Sequence, residues 1–570
     1  MRKRNYILII LLILFVLLTV TVFSFIYIQF AKPPTLRSNS ALEIQLFGEI
    51  QEKSNPDLLS LFNLKPEPLA MYDIWTNLNK AKVDDRIATV ILRLRNLVCD
   101  WAKAKEIRDL ILDFRSSGKK AYAYIEEAVE FDKEYYLATA CDEIFLHPQG
   151  FLIINGIGGY VPFLKATLDK LGVEAEVEHV EEYKTAYHMF TQDKLTDAHR
   201  EMLESLYSSL YSEYTHTVAL ERDLEEEEVR RLIDRGFFQG DDALQAGLVD
   251  ALLYEDQLLE RVMGDADRIQ RISHQRYLKI RPTSLGLNRG RKIALIYGMG
   301  PIISGEGMYG MMGSDTVCRW IRRAREDKSI AAIVFRVDSP GGSAVASESI
   351  WREVTLAKKE KPFIVSMSDL AGSGGYQISM AAHRIVAQPQ TLTGSIGVIF
   401  AKINMKGLYE RLGIKGERIT FGKRADMFST FRRATPEERR LLRQEILKTY
   451  ENFVSKAAEG RKMSKEEIHR LGKGRVWTGK QALEQGLVDE LGGLSRAIEI
   501  AKELAGIPED DPVRFVVWPQ QVSFWDVVMG RMTAHSPSGI FPAGDQILTT
   551  LSHLDRHVPW ALMPFWLPTD

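Results

Sequence analysis

Cysteine is nearly absent: Cys99, Cys141 and Cys318 are the three in 570 residues. An odd, widely scattered set excludes a disulfide framework and offers no metal-ligand spacing, so no metal is expected. Cys99 and Cys141 adjoin strand or helix patterns and read as buried small apolar residues. An excess of one charge is missing too. Lys and Arg number 74 against 76 Asp and Glu, a formal net charge of -2. That gives no electrostatic reason to expect nucleic acid as a partner. Apolar content of 45% and charged content of 26% are ordinary for globular protein.

A long uncharged apolar run stands at the N-terminus. Met1-Arg-Lys-Arg4 precedes residues 6–28, which carry no charge. About 20 apolar residues cross the hydrocarbon as a helix, so 6–28 is expected to be a membrane anchor. The basic tip stays cytoplasmic and sends the rest outward, placing the bulk of the chain on the periplasmic side of an inner membrane. A cleaved signal peptide is the blander reading. It is disfavoured because the run exceeds the ~7–15 residues of a typical signal core and no small-x-small site follows it. Pro33-Pro34 and residues 37–40 read as a short linker off the membrane.

The length excludes a single core, and the chain is written twice. Gly240-Asp-Asp-Ala-Leu-Gln-Ala-Gly-Leu-Val-Asp250 recurs as Gly479-Lys-Gln-Ala-Leu-Glu-Gln-Gly-Leu-Val-Asp489, an offset of 239. Ala81-Lys-Val-Asp-Asp-Arg-Ile-Ala-Thr-Val-Ile-Leu-Arg93 recurs as Ala324-Arg-Glu-Asp-Lys-Ser-Ile-Ala-Ala-Ile-Val-Phe-Arg336, an offset of 243. Two copies of one domain with small indels follow. The second copy continues Asp338-Ser-Pro-Gly-Gly-Ser343 where the first has Arg95-Asn-Leu-Val-Cys-Asp100. It then carries Ser373-Gly-Gly-Tyr376 where the first has Asp132-Lys-Glu-Tyr135. Structural repetition alone does not need that asymmetry; a catalytic site housed mainly in the second half does.

Each half opens on a strand pattern, 41–47 and 293–297, followed by a helix pattern ending near Lys82 and Glu326. Short β-branched strands at 88–92 and 331–335 come next, then helices at 103–117 and 347–359, then strands at 121–125 and 362–367. This alternation predicts an α/β fold with largely parallel strands buried on both faces. Helical hairpins are expected at 436–460 and 465–471, and a linker at 281–291. The expected division is 1–32 for the basic tip and anchor, 41–285 and 290–506 for the repeats, and 507–570 for an aromatic-rich extension. That extension packs either on a bilayer surface or, preferably, on the domain or a neighbouring subunit.

Ser373 lies in Asp369-Leu-Ala-Gly-Ser-Gly-Gly-Tyr376, between a strand and a predicted helix. A lone serine there reads as a helix N-cap by preference. The second glycine loop, Asp338-Ser-Pro-Gly-Gly342, shifts that preference toward a nucleophile. Both loops are expected at the C-terminal edge of the sheet, where α/β folds place their sites. The N–H of Gly374 with that of Gly341 or Gly342 then forms an oxyanion hole. The nucleophile needs a base. His383 sits ten residues along the predicted helix, about 15 Å away at 1.5 Å per residue, and is out of reach. His469 falls in a charged, exposed helix pattern. A lysine serves instead when burial disfavours its ammonium form.

Ala371-Gly-Ser-Gly-Gly-Tyr376, Leu392-Thr-Gly-Ser-Ile-Gly397 and Glu182-Tyr-Lys-Thr-Ala186 resemble the long, two-domain form of the signal peptide peptidase A family. These are membrane-anchored Ser–Lys proteases of the Clp/crotonase fold. The likeness runs from about residue 41 to 505 and includes Val476-Trp-Thr-Gly-Lys-Gln-Ala482 and Gly486-Leu-Val-Asp-Glu-Leu-Gly492. The resemblance implies Ser373 as nucleophile, Lys184 as general base, Ser395 as the residue that positions the lysine, and no cofactor. It also implies apolar peptide substrates such as spent signal peptides, and a ring-like homotetramer. His188-Met-Phe190 departs from the family's usual Glu-Pro-Phe, and Thr185 is a milder change. Lys423, at offset 239 from Lys184, is the competing base, although a two-residue gap puts Ala425 there instead. Two other classes stay open: a crotonase-type acyl-CoA enzyme and a catalytically inactive membrane scaffold.

Overall fold

The computed structural model describes residues 13–18, 21, 34–53, 69–126, 132–263, 270–308, 310–520 and 560–562. The first half is built on a parallel sheet of six strands. In spatial order they are Ala251–Leu252, Glu143–Leu146, Lys120–Ile125, Ile87–Val98, Ser40–Glu49 and Arg271–Ser273. The second half repeats that order with Glu490–Leu491, Arg384–Ala387, Phe363–Gly372, Ile330–Ser339, Lys292–Met299 and Arg514–Trp518, again all parallel. Two sequences that differ at most positions give one topology because both keep the same apolar runs. Ile91, Leu92, Ile333 and Val334 are at most 1% exposed, as expected where helices cover both faces of a parallel sheet. In the first half Met71–Val83 and Trp101–Arg115 cover one face and Glu255–Met263 the other. In the second Ser314–Glu326 and Ala344–Lys358 cover one face and Leu494–Leu504 the other.

The halves differ at one end of the sheet. In the second, Phe363–Gly372 runs past its predicted end and adds Leu392–Gly394, which pairs antiparallel with Val476–Thr478. In the first, Lys120–Ile125 stops early, and Phe151–Ile154 and Gly236–Gln239 form a separate antiparallel ribbon. Strand Arg514–Trp518 lies beside Lys292–Met299, so the second sheet takes in a strand from beyond residue 506. The reason is the same as for Arg271–Ser273: the first strand of each sheet has a free edge that a later strand covers.

The long helix Pro436–Arg461 starts as its sequence dictates, with a Thr435/Glu438 capping box and proline in the first turn. Such a cap stabilises a helix by about 1 kcal/mol. The predicted helix after Ser373 is much shorter than expected: it spans Gly374–Ser379. His383 is thus not on it. Its Nδ1 accepts the Phe363 N–H at 3.1 Å, at the start of the strand whose far end leads into Ser373. Ten strand residues put it about 30 Å from that end. Residues 13–18 are helical and exposed, and most of the expected anchor at 6–28 lies outside the described residues. Among the described residues no helix is long and apolar enough to cross a membrane. Most of the extension also lies outside them, save Trp560–Leu562.

A third sheet joins the halves. First-half strand Glu174–His179 pairs antiparallel with Ile399–Asn404 of the second half. Arg439 pairs with Glu178 at 2.5 Å and Arg433 with Glu174 at 2.6 Å. This pairing delivers the segment that follows, residues 180–187, onto the second half's loops.

Candidate active site

Ser373 stands at the turn between Phe363–Gly372 and the helix Gly374–Ser379, fully buried, with φ 55° and ψ -113°. A non-glycine residue held there stores about 1–3 kcal/mol and persists only where its surroundings over-determine it. They do: Ser373 N–H donates to Gly394 O at 2.8 Å, and the Gln377 N–H donates to Ser373 O at 2.8 Å. The serine side chain caps nothing. Its Oγ is left for chemistry.

Lys184 arrives from the other half of the chain. Its Nζ lies 2.8 Å from Ser373 Oγ, 3.0 Å from Ser395 Oγ and 3.0 Å from the Ser395 carbonyl oxygen. A neutral amine has two N–H donors and one lone pair. Ser395 offers two acceptors, and the Ser373 hydroxyl offers the proton that the lone pair takes. All three residues are fully buried. Burial alone holds the Lys184 ammonium well below the usual lysine range, with no carboxylate among the causes to offset it. Two glycines clear the path for this side chain. A Cβ on Gly474 would sit 2.5 Å from Lys184 Cα, and one on Gly397 3.1 Å from its Cδ. The Tyr183 N–H donates to Lys473 O at 3.1 Å, which locks the segment down. Sequence reasoning missed this cradle, although Gly397 closes the Leu392-Thr-Gly-Ser-Ile-Gly397 motif.

The two glycine loops meet backbone to backbone. A Cβ on Gly374 would lie 3.1 Å from both Gly341 Cα and Gly342 N, and one on Gly375 2.6 Å from Ser339 O. Only glycine fits. The Gly341 N–H is already engaged, donating to Ser339 Oγ at 3.2 Å. The outer edge of Gly341–Ser343 pairs antiparallel with Trp560–Leu562.

The remaining sequence candidates lie elsewhere. The Lys423 side chain is 75% exposed and paired with Glu437 at 2.7 Å. His469 accepts or donates at Tyr450 Oη, 3.0 Å away. Cys99, Cys141 and Cys318 are free and buried. Among the described residues no cluster of His, Cys, Asp and Glu is arranged to hold a metal.

A duplicated α/β fold with a buried serine on a strained turn is the setting of a serine protease, and comparison with known proteins agrees. Residues 113–268 and 355–508 match the model of peptidase family S49, and the chain belongs to that family. It is 37% identical over 492 residues to the chloroplastic serine protease SPPA of Arabidopsis thaliana, covering 84% of this chain and 71% of that one. It is 33% identical over 519 residues to Protease 4 of Salmonella typhi, covering 88% and 80%. Among solved structures, ClpP1 from Listeria monocytogenes aligns at 15% identity with a TM-score of 0.22, over 35% of this chain and 91% of that one. Family membership removes the acyl-CoA and inactive-scaffold alternatives.

Proposed function

We propose that this chain is a membrane-anchored endopeptidase that uses Ser373 and Lys184 as nucleophile and general base to cleave apolar peptides such as spent signal peptides. One observation carries the reading: a fully buried lysine, with no counter-charge among the described residues, lies 2.8 Å from a serine 189 residues away in sequence. Ser373 Oγ attacks the scissile carbonyl carbon as neutral Lys184 takes its proton. The same lysine returns the proton to the leaving amine, and water then releases the acyl group by the reverse path. Ser395 holds the amine through its hydroxyl and carbonyl. The developing oxyanion is held by the N–H groups of Gly374 and Gly342, whose loops touch. Neither cofactor nor metal has a step in this scheme. That Trp560–Leu562 pairs with Gly341–Ser343 supports an extended peptide as substrate, bound by strand addition. A fluorophosphonate probe tests the core of the reading: it should label Ser373, and Lys184→Met should abolish labelling while the far-ultraviolet circular dichroism is unchanged. Labelling of Lys184→Met at the wild-type rate removes the dyad.

The reading includes anchoring by residues 6–28 with the repeats outside the cytoplasm, and a homotetrameric ring. Protease added outside intact spheroplasts should then digest the second half; digestion only after lysis means an inverted anchor. The repeat supports a ring. Leu171-Gly-Val173 recurs as Leu412-Gly-Ile414, an offset of 241. That offset carries Glu174–His179 onto 415–420 and Ile399–Asn404 onto 158–163. The first two strands pair within the chain; the second two stretches form no strand, and Tyr160 is 92% and Ile419 84% exposed. A head-to-tail contact between repeats leaves one unused face on each half, and a second copy fits them by the same pairing.

A further inference from the structure

We infer that Lys103 is a positioning residue by which the first half holds both glycine loops of the second half in register. The inference rests on the Ser–Lys reading and deepens it. Lys103 lies in the first turn of the helix Trp101–Arg115, which the first half lays against the second. Its Nζ is 2.8 Å from Asp338 Oδ2 and 3.0 Å from Asp369 Oδ2, and its backbone N–H donates to Asp369 Oδ1 at 2.8 Å. Asp338 opens the loop that contains Gly341 and Gly342. Asp369 stands four residues before Ser373. Asp338 Oδ1 also accepts the Leu370 N–H at 3.2 Å. One ammonium thus ties the start of the oxyanion loop to the start of the nucleophile loop, from outside the domain that owns them.

A second buried ion cluster adjoins the first through Glu52, 3.8 Å from Lys103 Nζ, and has a different reach. Arg336 binds Glu52 at 2.8 Å and Glu106 at 2.6 Å, and Glu106 also accepts the Leu494 N–H at 2.9 Å. Arg336 and Glu106 join the halves, yet neither touches Asp338 or Asp369. Buried ion pairs rarely stabilise a fold more than apolar packing does, and their best-attested use is to fix one arrangement among several. Here the arrangement is that of two loops in backbone contact, where Gly375 Cα leaves no room for a Cβ beside Ser339 O. A slip of about 1 Å between reacting groups costs on the order of 10²-fold in rate.

Three variants test this: Lys103→Met, Lys103→Arg and the interface control Glu106→Gln, each assayed well below its own unfolding midpoint. Lys103→Met should lower kcat by about 10²-fold with KM within about threefold, and should slow fluorophosphonate labelling of Ser373 by a similar factor. Lys103→Arg keeps the charge and the donors and should recover most of that loss. Glu106→Gln should lower the midpoint and leave kcat near wild type. Should Lys103→Met fail to fold, Lys103→Met/Asp369→Asn removes one of the two carboxylates left unpaired, keeps the net charge of the cluster, and is read the same way. Wild-type kcat in the Met variant, or an equal kcat loss in Glu106→Gln, overturns the inference. Absence of Ser373 labelling in the wild type instead overturns the Ser–Lys reading beneath it.

Discussion

The two halves have filled corresponding positions differently. In the second, the strand Phe363–Gly372 ends in Ser373, Gly374 and Gly375, and the hydroxyl caps nothing. In the first, Asp132 and Glu134 take the places of Ser373 and Gly375. The Asp132 carboxyl accepts the Asn155 N–H at 3.1 Å and the Gly156 N–H at 3.2 Å, and Glu134 Oε1 accepts the Leu97 N–H at 2.7 Å. Leu97 is at the strand end corresponding to the second half's glycine loop. Asp132 and Glu134 thus plug backbone donors of the first half itself: in the aligned sequences Leu97 falls opposite Pro340, which has no N–H. These donors have to be satisfied, because a buried unpaired N–H costs about 1–3 kcal/mol. The first half was then free to specialise in delivering Lys184.

The sharpest way to break this contrast is to disarm each half in turn. Ser373→Ala and Lys184→Met should each lower kcat/KM for an apolar peptide by about 10³-fold or more, since members of such a unit fail together. Asp132→Ala should leave kcat within about twofold. Equal losses from Ser373→Ala and Asp132→Ala would dissolve the distinction. The pH profile sharpens it further. Burial lowers the Lys184 pKa, so the reactive neutral amine is the favoured form at lower pH than for a free lysine. Activity should rise with pH through that lowered value and level off above it. A rate that falls as pH rises through neutrality contradicts a lysine base.

Much of this was legible in the sequence and the remainder was not, for one reason: distance along the chain. The repeat, the parallel alternation and Ser373 on its glycine turn are local patterns. The bounds of Lys465–Leu471 and Pro436–Arg461 follow from caps written within four residues. Lys184 came from a family resemblance rather than from spacing, since no local feature of Glu182-Tyr-Lys-Thr-Ala186 announces burial. The strand at 513–518 was legible from its apolar run, but its place beside Lys292–Met299, like the Lys103–Asp338–Asp369 tie and the Gly474 cradle, joins residues more than 200 apart. The overlong strand Phe363–Gly372 illustrates the same limit. It continues because a register shift lets Ala371 pair with Ser339, and that pairing belongs to the sheet, not to the segment.

The next effect is on assembly. If the second half of one copy repeats on its neighbour the pairing that Glu174–His179 makes within the chain, Phe421→Asp and Ile419→Pro should dissociate the oligomer. Phe421 is 94% exposed in the single chain, so the substitution should leave the monomer's unfolding midpoint nearly unchanged. Sedimentation velocity decides it: an unchanged oligomer in both variants removes 415–421 from the interface.

Acid should separate the halves more gently. His188 and His199 follow Lys184, with rings 5.3 Å apart and Nδ1 atoms that have no hydrogen-bond partner among the described residues. Burial pushes both down to about 4 from an ordinary value of 6.5. The folded state therefore binds fewer protons than the unfolded one across that window. Their stabilising contribution is complete above about pH 6.5 and is lost as pH falls toward 4. The helices Asp197–Arg222 and Pro436–Arg461 are offset by 239, which puts Glu438 at the second-half position of His199. The unfolding midpoint should drop by several degrees between pH 7 and pH 5, and His188→Phe/His199→Phe should flatten that slope. An unchanged slope in the double variant places the acid sensitivity elsewhere.

The smallest effect should come from the plug itself, and its sign is the informative part. Burial raises Asp132 to about 6 and Glu134 to about 7 from their ordinary 3.8 and 4.5, against the pull of the backbone N–H bonds. A carboxyl raised on folding is more stable protonated. Its burden on the fold is absent below pH 4 and grows as pH rises, until it is complete near pH 7. Asp132→Asn/Glu134→Gln keeps an oxygen to accept each N–H and removes the charge that burial opposes. The double variant should match wild type near pH 4.5 and exceed it in stability by on the order of 1 kcal/mol at pH 8. Ser373 labelling should proceed at the wild-type rate at both pH values, because the plug belongs to the half that no longer carries a nucleophile. A double variant that unfolds more readily at pH 8 than wild type would mean that the carboxylates hold the turn through their charge. The first half would then be more than a filled copy of the second.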